Sequence, residues 1–246
     1  MNRSLILYKY RSFGEYADKI ILNSELYFAS HTSFNDPFDC NLSLREINSY
    51  TDEEFKKYCE INGLTNKNKK EYLEGLRKEF ISSKAKVGIL SMSLNSKSIL
   101  MWSHYSDCHQ GLCFGFYSSL FENKKSYKKV NYPKSNEYKL ISFLSSDSSS
   151  LDDMKIMFGT KSEFWEYEEE CRFFDFNIDS GIGAKKFEKE CLKEIIFGCK
   201  ADETNIKKII QLCQLNGFEH VVFKKARIVY GRFELDFDEL DKSQYL

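Results

Sequence analysis

Proline occurs at only two positions, Pro37 and Pro133, in a chain that carries 21 Phe and 15 Tyr. Proline and other turn residues punctuate linkers, whereas aromatic side chains fill cores, so this combination describes a rigid, aromatic-rich core with little turn-rich linker. Hydrophobic residues make up 42% of the 246 and charged residues 30%, which excludes global disorder. The length suits one generous domain better than two small ones.

Charge and cysteine usage narrow the partners and the compartment. Thirty-six basic residues against 37 acidic ones leave a formal charge of −1. A protein that binds nucleic acid mainly through phosphate would be more basic, so that class is disfavoured, while a local basic patch is not. The apolar start, Leu5 to Tyr8, is too short for a signal-peptide core, and no uncharged apolar run of about eighteen residues occurs, so no membrane contact is expected. The eight cysteines form no C-x-x-C and scatter through apolar contexts, which reads as reduced, mostly buried thiols. The expected location is the cytoplasm.

Periodicity organises the rest. Residues 5–10 read as a first strand, 16–21 as a short helix and 26–29 as a second strand. Thr51 and Glu54 form a capping-box pattern, and helices over 52–61 and 68–83 make a charged helical insertion. Val87 to Leu94 is a strand, a helix capped by Ser96 or Ser98 runs to Tyr105, and 112–117 is a strand. Residues 118–160 hold variable loops, basic at 124–139 and Ser/Asp-rich at 145–153. A strand is expected at 165–176, then strand 193–197, helix 204–216, strand 219–223 and a closing pair near 226–237. In that last helix Ile206, Ile209, Ile210 and Cys213 recur at i, i+3, i+4 and i+7, with Gly217 as the stop. The fold class is α+β over 1–246: one domain with a mixed, mostly antiparallel sheet, its core built from the first strand and those at 87–94, 112–117 and 165–176.

Three constellations carry chemistry. In Trp165 to Phe174, carboxylates crowd an aromatic strand although they form strands poorly. Alternation puts Glu168, Glu170 and Arg172 on one side, and Trp165, Tyr167, Cys171 and Phe173 on the other. Such a Glu-x-Glu can shift a carboxyl pKa, orient a hydroxyl or stabilise a developing cation; its bland alternative is a charged edge strand that resists aggregation. Ser91 and Ser93 share a strand face suited to two hydroxyls on one ligand, and Trp102, His104 and Tyr105 follow on a helix. Asn35, Asp36 and Asp39 put polar groups in a turn, where local Asx bonding competes with a functional role. No phosphate-loop, dinucleotide-fold, zincin or hydrolase-elbow motif is present, and Cys108, His109 and Cys113 do not complete a zinc set, so no metal is expected.

Tyr8-Lys9-Tyr10, Phe34 to Asp39, Met101 to Tyr105 with His109 and Gly111, Trp165-x-x-Glu168-x-Glu170-x-Arg172, and Leu192 to Gly198 appear in order along nearly the whole chain. In these segments the chain resembles the bacterial family catalogued as domain of unknown function 2971, whose name carries no activity. It also resembles, more weakly, ADP-ribosyltransferases of the arginine–serine–glutamate type, which use an early basic strand, a Ser-Thr-Ser strand and a late Glu-x-Glu. Here these correspond to Lys9 or Arg11, to Ser91-Met92-Ser93 with Met92 in place of Thr, and to Glu168 to Glu170.

That second resemblance implies NAD as substrate, with Glu170 stabilising charge on the ribose and Glu168 orienting the acceptor. It further implies that Ser91 and Ser93 shape the nicotinamide pocket, Arg11 or Lys9 holds the pyrophosphate, and Trp102 or Tyr105 stacks on a ring. Tyr8, Asn35, Asp36, His104 and Arg172 are expected in the same cleft. The acceptor would be a protein, a nucleic acid or water (a glycohydrolase), and family-level association suggests a toxin or phage-defence effector kept in check by an inhibitor or partner protein. Two other readings stand beside it. One is a magnesium-dependent nuclease using Asp36, Asp39, Glu168 and Glu170. The other is a non-catalytic protein- or nucleic-acid-binding module using the lysines and tyrosines of 124–139.

Overall fold

A computed structural model describes residues 5–41, 44–121, 127–135, 140, 142, 144, 156–177 and 179–245. The Ser/Asp-rich stretch 145–153 lies outside these residues, as do Lys124, Lys125, Tyr138 and Lys139.

The elements are β1 (Ile6–Arg11), α1 (Glu15–Asn23), β2 (Glu25–Phe28), α2 (Asp52–Ile61), α3 (Lys69–Ala85), β3 (Gly88–Ser93), α4 (Ile99–Tyr105), β4 (Leu112–Tyr117), β5 (Tyr127–Lys129), β6 (Glu170–Asp175), β7 (Gly183–Lys186), β8 (Leu192–Phe197), α5 (Glu203–Leu215), β9 (Val222–Ile228) and β10 (Leu235–Glu239). Eight strands form one sheet in the order β10-β9-β8-β4-β1-β3-β6-β5, and β2 pairs with β7 in a separate ribbon. Among the strands of the described residues, β8 and β9 run parallel, with α5 as the crossover between them, and the other strand pairs are antiparallel. The fold is α+β with a mostly antiparallel sheet. The four core strands read from the sequence lie side by side as β4-β1-β3-β6.

Alternation along these strands builds two apolar layers. On one face Leu7, Leu90, Met92, Phe114, Phe116 and Phe173 pack with Ile20 and Ile21 of α1 and Ile206, Ile209 and Ile210 of α5. On the other, Tyr10, Cys113 and Ile196 pack with Met101 and Trp102 of α4. Local signals start the helices. Thr51 and Glu54 make both bonds of the capping box, Ser98 caps α4, and Asp202 caps α5. The helical insertion docks on the domain, with Phe80 of α3 against a cluster of Cys40, Val87, Ile89, Phe158 and Phe174.

Boundaries differ where tertiary pairing overrides local pattern. The strand expected at 219–223 spans Val222–Ile228, because it forms a hairpin with β10 as well as a ladder with β8. The short strands β5 and β7 have no clear pattern of their own and exist by pairing with β6 and β2. Most consequential, the segment read as a strand from 165 is a 3-10 turn over Glu163–Glu168, and the strand begins at Glu170. Glu169 between them has φ 43°, a left-handed conformation that ends the turn. Among the described residues, no helix is long and apolar enough to cross a membrane.

Two glycines hold the backbone where α4, β1 and β8 meet. A Cβ on Gly198 would lie 2.0 Å from the His109 carbonyl oxygen, and one on Gly111 would lie 2.3 Å from that of Arg11. The Gly198 amide donates to the Gly111 carbonyl at 2.9 Å, so the backbones touch directly. Gly198→Ala should therefore destabilise the fold by at least the 1–3 kcal/mol typical of overpacking (roughly). Thermal denaturation checks this; a melting temperature equal to wild type contradicts the contact.

Candidate functional site

Between β1 and β3 the ladder is reduced to one registered pair, Tyr8 opposite Ser93. Around this meeting of strands lies a cavity of about 470 Å³. That is within the range of small-molecule sites, about 300–1,000 Å³. β1 contributes Tyr8, Lys9, Tyr10 and Arg11, and β3 contributes Ile89, Ser91, Met92 and Ser93. Asn35 and Asp39 come from the turn after β2, His104 and Tyr105 from α4, and Lys161, Glu168, Glu170 and Arg172 from the segment leading into β6.

One side of this cavity is a closed ionic network centred on Arg172, which is fully buried. Its Nε donates to Glu170 Oε1 at 2.7 Å, and its Nη2 donates to Glu170 Oε2 at 2.8 Å and Asp39 Oδ2 at 2.6 Å. Nη1 donates to Asp39 Oδ1 at 2.9 Å and to the Phe158 carbonyl at 2.8 Å. All five guanidinium N–H groups are therefore satisfied. Lys161, also buried, donates to Glu168 Oε2 at 2.6 Å and lies 3.4 Å from Glu170 and 3.5 Å from Asp39. Its ammonium sits 4.7 Å from the Trp165 ring centre. Three carboxylates against two cations leave one formal negative charge.

The two glutamates are driven apart. Burial alone would raise the Glu170 pKa, but Arg172, Lys161 and the Ser91 hydroxyl outweigh it and hold the pKa near 2. Glu168 moves upward, because burial and the Glu170 charge exceed the help of Lys161 and of the Tyr105 hydroxyl, which donates to Oε1 at 2.7 Å. One carboxylate is thus fixed as an anion while the other is suited to exchange a proton. Asn35 donates to the Tyr105 hydroxyl at 3.4 Å, so the chain Asn35–Tyr105–Glu168 runs inward from the exposed rim.

The β1 side carries the opposite charge. Lys9 Nζ donates to the Ser91 carbonyl at 2.6 Å, and burial together with neighbouring Arg11 lowers its pKa to about 7 despite Glu170 and Glu168. Arg11 has no carboxylate partner among the described residues, and its buried Nε finds no acceptor. Ser91 joins the halves, its carbonyl taking Lys9 and its hydroxyl bonding Glu170.

Residues 101–173 match the family model for a protein of unknown function, DUF2971. No curated protein and no solved structure matches the chain. The DUF2971 match contains the whole α4-to-β6 side of the cavity, from His104 and Tyr105 to Lys161, Glu168, Glu170 and Arg172. The cationic β1 side and Ser91 lie outside it.

Of the residues singled out in the sequence, Tyr8, Lys9, Arg11, Asn35, Ser91, Ser93, His104, Tyr105, Glu168, Glu170 and Arg172 line this one cavity. Four readings are corrected. Trp102 is wholly buried in the core, donating its indole N–H to the Ser96 carbonyl and meeting Tyr10 edge-on, so of the two candidate stacking rings only Tyr105 reaches the cavity. Ser93 is almost fully buried and its hydroxyl is committed to the Glu168 carbonyl at 2.7 Å; it fixes the turn. Asp36 lies off the cavity wall and accepts the Phe38 amide at 2.9 Å, the local Asx bond. Glu168 joins Glu170 through the left-handed turn at Glu169, not through strand alternation, while Glu169 points outward to Asn95.

Lys161 and the pairing role of Asp39 went unread. Lys161 stands alone ahead of the acidic run with no motif spacing, and Asp39 lies 133 residues from Arg172 in the chain. Among the described residues, no group of three or more His, Cys, Asp or Glu side chains is disposed to hold a metal ion. No disulfide joins any of the eight cysteines.

Arg172→Met should cost about 3–5 kcal/mol, the usual loss when one member of a buried ionic network is removed. Denaturant unfolding reads this directly, and a loss below about 1 kcal/mol would match a surface pair instead. Lys9 gives a pH-dependent test. Its native pKa near 7 lies below the ordinary 10.5, so the unfolded chain holds a proton that the native chain releases between those values, and native stability rises with pH across that window. Lys9→Met abolishes this dependence. Its stability relative to wild type should be most favourable at about pH 6 and decline toward about pH 9.5; a pH-independent difference in melting temperature contradicts the lowered pKa of Lys9.

Proposed function

We propose that the chain is an NAD-consuming enzyme of the ADP-ribosyltransferase type, cleaving the nicotinamide–ribose bond and passing ADP-ribose to a macromolecular acceptor or to water. The observation that carries this reading is the division of one cavity into a β1 side, where the buried Arg11 Nε finds no acceptor among the described residues, and a β6 side with excess negative charge. NAD has the matching polarity, an anionic diphosphate at its middle and a cationic pyridinium at one end. Arg11, assisted by Lys9, takes the diphosphate, because a half-buried guanidinium with a buried N–H lacking an acceptor is best satisfied by an anionic ligand. The nicotinamide ribose then lies toward Glu168 and Glu170, with Tyr105 as the neighbouring ring.

Cleavage sends the glycosidic electron pair onto the pyridinium nitrogen and leaves positive charge on the ribose. Glu170, kept ionised by Arg172, stabilises that charge from a fixed, buried position. Glu168, with its raised proton affinity, accepts the proton of the incoming hydroxyl, amine or water as it attacks C1 of the ribose. Support also comes from topology. The early basic strand, the Ser-x-Ser strand and the glutamate strand of the resemblance are immediate neighbours, β1-β3-β6.

The other readings draw less support. The Lys161 ammonium stands where Asp39, Glu168 and Glu170 converge, which leaves these carboxylates no open set of oxygens for magnesium. In the basic stretch Lys134 is paired with Glu166, and Lys128 and Lys129 lie on the edge strand β5, where lysine deters strand addition.

Nicotinamide release from NAD, followed by chromatography, tests the proposal. Glu170→Gln also strips Arg172 of its anchor, so Glu168→Gln is the cleaner variant; it keeps an acceptor for Tyr105. Its rate should fall about 10²–10³-fold, the usual loss for one preorganised catalytic group. Glu169→Gln, exposed at the turn, should release nicotinamide at the wild-type rate. Equal rates in the two variants, or no release by the folded wild-type chain, would sink the reading.

A further inference from the structure

Lys9 is unlike the other cations of the cavity. Arg172 and Lys161 are locked to carboxylates, and Arg11 keeps its charge at any accessible pH. Lys9 has no carboxylate within ion-pair distance among the described residues, and its ammonium donates to one neutral oxygen, the Ser91 carbonyl. The groups that face it are Arg11 on its own strand, Glu168 in the preceding turn, Glu170 and Cys171 on β6, and Cys113 on β4. Burial and Arg11 prevail over the glutamates, giving a pKa of about 7. About half of the molecules then carry a free electron pair on this nitrogen at neutral pH, against fewer than about one in a thousand for an ordinary lysine. A desolvated lysine beside a second cation is a recurrent source of amine nucleophiles.

We propose that Lys9 is a nucleophilic amine that forms an imine with a small phosphorylated aldehyde or ketone, Arg11 taking the phosphate. Two observations point to this ligand class: an amine without an ionic partner in a cavity wall, and, two residues along the same strand, a buried guanidinium nitrogen without an acceptor. The neutral amine adds its electron pair to the carbonyl carbon, and the carbonyl π pair moves to oxygen, which takes a proton. The resulting carbinolamine loses a proton from nitrogen and, after protonation of its hydroxyl, expels water to leave the C=N bond. No electrons are exchanged with a redox partner. Glu168 lines the same cavity and, with its raised proton affinity, donates the proton that lets water depart. The Ser91 carbonyl keeps the amine aimed along the wall. This chemistry requires neither NAD nor Glu170, so it stands apart from the NAD reading.

The test uses the full chain with pyridoxal 5′-phosphate as probe, borohydride to trap the imine, and peptide mass spectrometry to locate it. Lys9 should be labelled about tenfold or more faster than the exposed lysines at neutral pH, with a labelling midpoint near pH 7. Pyridoxal without its phosphate should lose most of this selectivity, and inorganic pyrophosphate should protect Lys9. Arg11→Met should abolish the difference between the two aldehydes, while the wild-type comparison stands even if that variant folds poorly. Labelling of Lys9 no faster than of exposed lysines, or with a midpoint in the ordinary amine range, overturns the proposal. Equal labelling by both aldehydes overturns the role of Arg11. Selective trapping in a chain that releases no nicotinamide supports the amine and counts against the NAD reading alone.

Discussion

Arg172 cannot be buried on its own terms. A guanidinium in an apolar interior is tolerated only when every N–H has an acceptor and its charge is balanced, and each of those acceptors comes from a different part of the chain: Glu170 on its own strand, Asp39 from the turn after β2, and the Phe158 carbonyl from the segment before the acidic run. Satisfying this one side chain therefore fixes β6, the Asn35–Asp39 turn and the backbone near residue 158 relative to one another. Lys161 then finds its position where the remaining carboxylate oxygens converge. Such a network adds little net stability over well-packed apolar residues, but it tolerates few alternative arrangements, which suits the wall of a site.

The other wall follows from what this network leaves out. Two cations cannot neutralise three carboxylates, and the cations that would complete the balance, Lys9 and Arg11, stand on β1 with β3 interposed. Because β1 and β3 share a single registered pair, cavity space replaces ladder between them, and Ser91 bridges the halves with its carbonyl and its hydroxyl. The separation of charge is thus a product of topology. It shifts Glu168 up, Glu170 down and Lys9 toward neutrality within one small volume, the arrangement that acid–base and electrostatic catalysis use.

Much of this was legible from local pattern. The period of Ile206, Ile209, Ile210 and Cys213 specifies α5, and Thr51 with Glu54 specifies the start of α2, because both signals act within one or two turns of the chain. The four central strands show in their apolar alternation, and the residues of the cavity show as polar groups in otherwise apolar segments. What was not legible depends on contacts distant in sequence. Alternation predicts Glu168 on the strand, but the left-handed Glu169 breaks the strand and still delivers Glu168 to the same cavity. Trp102 and Tyr105 are near neighbours on α4, and only the packing of Tyr10 decides that Trp102 faces the core. That the Arg11 Nε is buried without an acceptor among the described residues, while Lys9 reaches the Ser91 carbonyl, depends on packing that no local pattern shows. Lys161 has no sequence signature at all, since its role is defined by three carboxylates that the fold brings to it.

The measurement that bears most directly on this account is a crystal structure of the chain with NAD bound. On the proposed reading, the diphosphate should lie within hydrogen-bonding distance of Arg11 and the nicotinamide ribose against Glu168 and Glu170, with the Arg172 network unchanged. A diphosphate lying on the glutamate side, or NAD bound outside the β1–β3 cavity, would contradict it.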